Sequence, residues 1–398
     1  MRPFSVAFLA DYFVSWMGGA TLLGFVVDGV MRAAEAQNTR VHLLLSAQQL
    51  PEALRREVRD FLPLPRAQLN AEGPLACLLD NLPALDVVLF YRDLDATLDA
   101  LGVDVIGPTG QDLGTQQRRP WFAYLPDFQH QYLPRFFTQR ERQFRDGQFR
   151  ALLENSTGLF VNSGTVVADL ERFYGGAARS ARVLRLPQMY PDLSGALDER
   201  EAEVRARYGL ERPFLLSCSQ RWLHKQHEVL VAAFAEHRAR HPGSALQLVF
   251  TGERSDYRDP SYADAVDALV AELGLAEHVR HVGLVPRADQ LQLIGAARAL
   301  LQASLFEGGP GASGTLEAAL LGVPIVASDI GANRELQFGN SRFFEAGQPK
   351  ALARELARFE DAGADAVRRE AVFDAEQIEY LRLASGLQTI GALRSVAG

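Results

Sequence analysis

The sequence predicts an α/β protein made of two Rossmann-like halves that face a central cleft. Three observations lead there. Short apolar, β-branched runs alternate with longer segments of helical period, the pattern of parallel sheets wrapped by helices. The alternation breaks once, at Leu186-Pro-Gln-Met-Tyr-Pro-Asp-Leu-Ser-Gly195, a stretch rich in turn formers that reads as a linker. A chain of 398 residues also suits two domains better than one. The expected units are residues 1–190, residues 191–374, and a C-terminal helix within 375–398 that would cross back to the first unit.

Before the linker, the strands are expected at Phe4–Leu9, Val41–Leu45, Val87–Tyr91, Val103–Ile106, Trp121–Leu125, Leu159–Val161 and Val183–Leu186, with helices such as Leu22–Ala36 and Thr165–Tyr174 between them. After it, strands are expected at Phe214–Ser219, Leu246–Thr251, Val279–Leu284, Ala299–Gln302 and Pro324–Ala327. Helices are expected at His227–Arg240, Tyr262–Leu273, Ala288–Ala297, Thr315–Leu321, Pro349–Ala362 and Ala375–Val396. A ligand of such a fold lies in the cleft, at the carboxyl ends of the strands.

Composition narrows the function classes. Hydrophobic residues at 47% and charged residues at 23% exclude a disordered chain, a collagen-like repeat and a disulfide scaffold. With 41 basic against 49 acidic residues the net charge is −8, which argues against a nucleic-acid binder. Of the two cysteines, Cys218 sits in an apolar run and reads as a core residue. No apolar run reaches the length of a membrane span, and the short apolar stretch before Asp11 is not a secretory signal, so a cytoplasmic location is expected. Only Lys225 and Lys350 among the 41 basic residues are lysines, so each lysine invites a reason.

The richest stretch runs from Ser304 to Asp329. A strand enters the glycine-rich loop Glu307-Gly-Gly309-Pro-Gly311-Ala-Ser313-Gly314, a helix starts near Ser313, and a second strand ends at Asp329. Glycines let backbone N–H groups approach a ligand, and the start of the following helix attracts anions. Ser313 is also a good helix cap. Glu307 and Glu317 bracket the loop as acceptors for sugar hydroxyls; the plain alternative is a tight turn with two solvated acids. Gly309-x-Gly311-x-x-Gly314, with Asp329 beyond it, also matches the dinucleotide fingerprint. Its place after the fourth strand of its half, and Pro310 removing an amide donor, weigh against an NAD(P) site.

A second cluster, Ser217 to His227, follows the first strand of the second half, where phosphates are usually met. Arg221 and Lys225 supply charge for a diphosphate; the plain alternative for Lys225 is a surface lysine at a helix start. In the first half, Tyr12–Ala20 gives a glycine-bearing turn into a helix, and Asp127 with His130 offers a carboxylate–imidazole pair at a strand end. Arg135–Arg150 holds five arginines against Glu141 and Asp146, interleaved with phenylalanines. It reads as an amphipathic helix with Phe137 and Phe144 facing the core, or as a surface for anionic lipid or a phosphorylated acceptor. No metal-ligand spacing is present.

Taken together, these residues resemble the family 4 retaining glycosyltransferases with the GT-B fold. Ser304-Leu-Phe-Glu307-Gly followed by Leu316-Glu317-Ala-Ala-Leu-Leu-Gly-Val-Pro-Ile-Val-Ala-Ser-Asp329 resembles the family's donor-site signature. Lys225 resembles its phosphate-binding lysine, Gly252 and Gly283-Leu-Val-Pro286 its next strand ends, and Gly18-Gly19 its glycine turn near the acceptor. Asp127-Phe-Gln-His130, with Leu133-Pro-x-Phe-Phe137, resembles a motif of a polysaccharide-building subset. Nine residues separate Glu307 from Glu317 where the family has seven, and Gln220 stands where the family has its arginine, with Arg221 one step later.

The resemblance implies transfer from a nucleotide-diphosphate sugar, GDP- or UDP-linked, to a glycan, lipid-linked or other hydroxyl acceptor, with no metal or other cofactor. Lys225 and Arg221 would neutralise the diphosphate, helped by amides near Gly309, Gly311, Ser313, Gly314, Thr315 and Leu316. Glu317 would hold the ribose, Glu307 the transferred sugar, and backbone near Val285 the base. Gly18, Gly19 and Asp127 would lie on the acceptor side, where His130 would face the acceptor or the sugar's outer hydroxyls. A nucleotide-sugar epimerase, an NAD(P) enzyme, a solute-binding protein and a PLP-dependent phosphorylase are the alternatives. The last needs a Schiff-base lysine, for which neither Lys225 nor Lys350 has the context.

Overall fold

The computed structural model describes residues 2–178, 182–185, 193, 197, 200–336, 338–360 and 373–397. The expected linker at 186–195 lies outside them, Leu193 apart. The first half holds β1 (Phe4–Leu9), β2 (Thr39–Ser46), β3 (Phe61–Pro65), β4 (Val87–Tyr91), β5 (Val105–Thr109), β6 (Trp121–Leu125), β7 (Gly158–Val161) and β8 (Arg182–Arg185) in the order β3-β4-β2-β1-β5-β6-β7-β8. All pairs are parallel except β3 with β4. The second half holds β9 (Phe214–Cys218), β10 (Gln247–Thr251), β11 (Val279–Gly283), β12 (Ala299–Gln302), β13 (Ile325–Ser328) and β14 (Ser341–Phe344). Its order, β11-β10-β9-β12-β13-β14, is parallel throughout. The expected pair of α/β halves with parallel sheets is therefore present.

The central strands β5, β6, β9, β10, β12 and β13 are buried at every position. Helices cover both sheet faces, so these strands read as continuous apolar runs rather than alternating ones. Two strands escape the sequence pattern. β3 contains Pro63 and Pro65, tolerated because it is an edge strand that needs few of its own amide donors. β14 is a four-residue edge strand, too short to announce itself.

The helix Met17–Ala34 is long and apolar enough, by length and composition, to cross a membrane, yet Leu23, Val26, Val27 and Val30 are buried in the core of the first half. Its one acid, Asp28, accepts from Arg32 and from Arg382, each at 2.7 Å. Arg382 belongs to the C-terminal helix Ala375–Arg394, which lies against Met17–Ala34 and adds Ile390 and Leu393 to the same core.

Candidate active site

In a parallel sheet a crevice opens where the strand order reverses, outside the carboxyl ends of the two central strands. In the second half these strands are β9 and β12. The loop after β9 carries Lys225, the loop after β12 carries Glu307, and the two meet. Lys225 Nζ donates to Glu307 Oε1 at 2.5 Å, and both side chains are about nine-tenths buried. The same carboxylate oxygen accepts from Ser304 Oγ at 2.5 Å and faces Gln302 Nε2 at 3.4 Å. The backbone ties these loops as well, because Leu305 N donates to His224 O at 2.8 Å.

The glycine loop presses on the first half. A Cβ on Gly308 would lie 2.6 Å from Pro126 O, and one on Gly309 would lie 2.8 Å from Asn162 Cβ, so only glycine fits this approach. Ser163 Oγ donates to Gly308 O at 3.0 Å across the cleft. Gly311 and Gly314 have positive φ. Gly314, rather than Ser313, precedes the helix Thr315–Leu320, and being glycine it offers no capping side chain; Thr315 Oγ1 donates back to Ala312 O. The helix therefore starts one residue later than expected, and the Ser313 backbone forms part of the tight 3-10 turn Ala312–Gly314.

Glu317 lies in the first turn of that helix, close enough to the end of β9 to influence Cys218, and pairs with Arg287 at 2.8 Å. Burial pushes the Cys218 thiol up to about 12, so it is a core residue without reactive character. Leu316 packs partly buried beside the same strand core. Val285 is buried while Leu284 beside it is 78% exposed. The Asp329 of the fingerprint pairs with Arg334.

Arg221 is not beside Lys225 and Glu307 in the hydrogen-bond pattern. Its buried guanidinium binds Asp267 Oδ1 at 2.9 Å and His281 Nδ1. Burial lowers its pKa, as does Arg254 nearby. His281 is held neutral, down to about 4, by burial and then by Arg221.

In the first half, the glycine-bearing turn is shorter than expected. Gly18 and Gly19 already lie in the first turn of Met17–Ala34, and the Trp16 indole folds over them, 2.5–2.6 Å from where a Cβ would stand. The Asp127–His130 pair does not form. Asp127 accepts from Gln129 N at 2.9 Å, while His130 Nε2 pairs with Asp146 Oδ1 at 3.0 Å. His130 is buried between Phe137 and Phe149, and burial lowers its pKa. Asp127 acts elsewhere: with burial, its charge raises the Tyr12 hydroxyl to about 12, against an opposing effect of Arg145.

The basic segment forms the helix Gln139–Asn155, begun by a reciprocal cap between Thr138 and Glu141. Phe137 and Phe149 are buried, but Phe144 is 69% exposed, contrary to expectation. Both acids of the segment are engaged, Glu141 in the exposed cap and Asp146 on His130, Gln131 and Tyr174. Arg135, Arg140, Phe144 and Arg150 face outward, with Glu154 at the far end.

Residues that sequence reasoning missed are those that join the halves. Glu335 accepts from Gly164 N at 3.1 Å and from Thr165 N and Oγ1, each at 2.8 Å, across the cleft. The rings of Tyr132 and Phe306 meet at 5.3 Å. Arg258 Nη1 donates to Gln129 Oε1 at 3.1 Å. No local pattern marks them, since each partner lies more than a hundred residues away. Among the described residues no group of three or more histidines, cysteines or acids is placed to hold a metal.

Residues 200–371 match the family model described as Glycosyl transferases group 1. Mannosylfructose-phosphate synthase of Agrobacterium fabrum is 26% identical over 148 residues; the match spans 37% of this chain and about a third (32%) of that protein. Anabaena HepE, solved with UDP-glucose, has a TM-score of 0.62 at 18% identity over 99% of this chain and 98% of its own. Sucrose-phosphate synthase of Thermosynechococcus elongatus has a TM-score of 0.62 at 18% identity, over 99% and 96%. A UDP-forming α,α-trehalose-phosphate synthase of Burkholderia xenovorans, solved with glucose-6-phosphate, has 0.65 at 11% identity over 100% of both chains. The fold is GT-B, and the resemblance to group 1 glycosyltransferases is borne out.

Proposed function

We propose that this chain, whose second half matches the group 1 glycosyltransferases, moves a sugar from a nucleotide-diphosphate sugar to a hydroxyl acceptor. The donor is GDP- or UDP-linked, the anomeric configuration is retained and no metal takes part. The observation that carries this reading is the Lys225–Glu307 pair at the crevice between β9 and β12. As the bond to the donor phosphate breaks, negative charge grows on the departing diphosphate. A fixed ammonium in a water-poor crevice stabilises that charge more than the ground state, which lowers the barrier. Amides of the Gly309–Thr315 loop support the same phosphates. Glu307 orients the ammonium through its shared hydrogen bond and lies beside the transferred sugar, and Glu317 holds the ribose. Arg221, engaged with Asp267, assists through the field of its charge unless donor binding releases it.

We assign residues 1–190 to the acceptor, residues 191–374 to the donor, and 375–398 to a strap on the first unit. The acceptor is a glycan or lipid-linked hydroxyl of cell-surface polysaccharide assembly, which places the enzyme in the cytoplasm, at the inner membrane face. The outward Arg135, Arg140 and Arg150 with exposed Phe144 suit anionic lipid there. A phosphorylated sugar acceptor is the second reading. It is favoured by Arg145, whose guanidinium lies 4.9 Å over the Phe137 ring and whose charge reaches Tyr12 on the acceptor side.

Incubation with GDP-, UDP-, ADP- and dTDP-sugars, with and without acceptors of both classes, tests the reading. Nucleotide release that depends on acceptor supports a transferase. An epimeric nucleotide sugar formed without acceptor and without net nucleotide release supports the epimerase alternative, and no nucleotide release from any donor overturns the proposal.

A further inference from the structure

The loop after β10 sends one buried cation across the cleft. Arg258 is 6% exposed at its side chain and Asp256 is fully buried. Arg258 Nε binds Asp256 Oδ1 at 2.9 Å, and Nη2 meets Asp256 Oδ2 and His224 Nδ1, each at 3.2 Å. Nη1 reaches Gln129 Oε1 of the first half at 3.1 Å. The guanidinium also lies 5.7 Å from the Phe137 ring of the first half and 5.6 Å from the Trp222 ring of the second. A buried guanidinium without partners is costly, so this geometry is held by all of its partners together.

Two of these partners, Asp256 and His224, lead to the turn Leu223–Lys225, the phosphate loop of the proposed function. Asp256 Oδ2 also accepts from Leu223 N at 2.9 Å, fixing the turn Leu223–Lys225. His224 precedes Lys225, and its backbone oxygen receives Leu305 N, two residues before Glu307. Burial, with Lys225 and Arg258 nearby, keeps His224 neutral, so its Nδ1 can accept from the guanidinium. On the other side, Gln129 follows Asp127, and its amide is held by the Asp127 carboxylate.

We infer that Arg258 is a cross-cleft positioning residue: it couples the seating of the acceptor-side loop Asp127–Tyr132 to the placement of Lys225 in the phosphate loop. The inference rests on the proposed function for its catalytic consequence but not for its structural one. Lysine cannot replace the fork that meets Asp256, His224 and Gln129 at once.

The test uses the full chain with Gln129→Leu, Gln129→Glu and Arg258→Lys. Hydrogen exchange of residues 222–226 reads the coupling without any substrate. Gln129→Leu, made across the cleft, should speed exchange there, and Gln129→Glu, which keeps an acceptor for the guanidinium, should not. In acceptor-dependent turnover, Gln129→Leu and Arg258→Lys should each lower kcat by ~10-fold. The melting temperature should stay close to the parent for Gln129→Leu and be lower for Arg258→Lys, which leaves part of the buried set around Asp256 unpaired. The double variant should lose no more than the worse single one, because both remove the same coupling. Unchanged exchange at 222–226 in Gln129→Leu overturns the inference, as does a double variant whose losses multiply. If the parent transfers no sugar from any donor, the proposed function fails, and the exchange result still decides the role of Arg258.

Discussion

Removing the Lys225 ammonium separates its catalytic part from its structural part. Lys225→Ala deletes the donor to Glu307 Oε1 and leaves a carboxylate that is nine-tenths buried. Stripping one partner from a buried pair typically costs ~3–5 kcal/mol of stability. Here Ser304 Oγ at 2.5 Å and Gln302 Nε2 remain, so a folding loss nearer ~1–3 kcal/mol is expected, since each retained hydrogen bond to the charge offsets part of the cost. The loss in transition-state stabilisation should be ~2–4 kcal/mol, or ~30- to ~1000-fold in kcat/KM. Lys350→Ala removes the same charge from an exposed position at the start of the helix Pro349–Leu356 and should change neither quantity. Lys225→Met combined with Glu307→Gln should recover most of the melting temperature by removing the stranded charge, without recovering activity. Lys225→Arg should rescue partly, because a planar fork does not replace a compact ammonium. The assay is steady-state transfer with the donor chosen by the panel, beside thermal melts of each variant. Equal kcat/KM in the two alanine variants, both folded, would refute the argument and leave the phosphates to Arg221 and the loop amides.

Three further outcomes are expected. Transfer should persist in excess EDTA; a loss that magnesium or manganese restores would refute the metal-free reading. Burial holds His227 near about 3 and His42 and His281 near about 4. Unfolding exposes these rings to an ordinary pKa near ~6.5, so the unfolded chain binds more protons below that pH. Stability is then full above ~6.5 and falls as pH drops towards about 4, by up to ~1.4 kcal/mol per pH unit for each such ring. Melts between pH 7 and 4.5 should show this fall, with a shallower slope in His227→Leu; a flat profile would contradict it. Finally, flotation with anionic vesicles should capture the chain at low salt, weaken as salt rises and weaken further in Phe144→Ser, whereas equal capture by neutral vesicles would rule out the cationic face.

Local chemistry made much of this protein legible before any fold was known. Continuous apolar runs such as Phe214–Cys218 announce strands covered on both faces, because helices on either side leave no solvent-facing position to be polar. Of the two lysines among many arginines, Lys225 drew attention together with the glycine loop between two glutamates, and the structure brings Lys225 and Glu307 of that loop into contact. Where a single residue's meaning depended on its neighbours in sequence, as with Cys218 in its apolar run, the reading survived. β3 escaped it, since prolines that forbid a central strand are harmless at an edge, and edge position is a property of the sheet alone.

Pairing was decided only by tertiary structure. Asp127 and His130 are three residues apart, yet the turn after β6 aims the carboxylate at the Gln129 amide and buries the imidazole against Asp146. Arg221 stands close to Lys225 in sequence but turns to Asp267 and His281, whereas Glu307, 82 residues from Lys225, becomes its partner. Phe144 is exposed while Asp146 of the same helix turns in to His130, Gln131 and Tyr174, a rotation that the period of its aromatics does not show. The contacts that join the two halves, Glu335 with Thr165 and Arg258 with Gln129, left no trace in the sequence. A hydrogen bond is fixed by distance and direction in space, and a chain encodes these for distant residues only through the packing of everything between them.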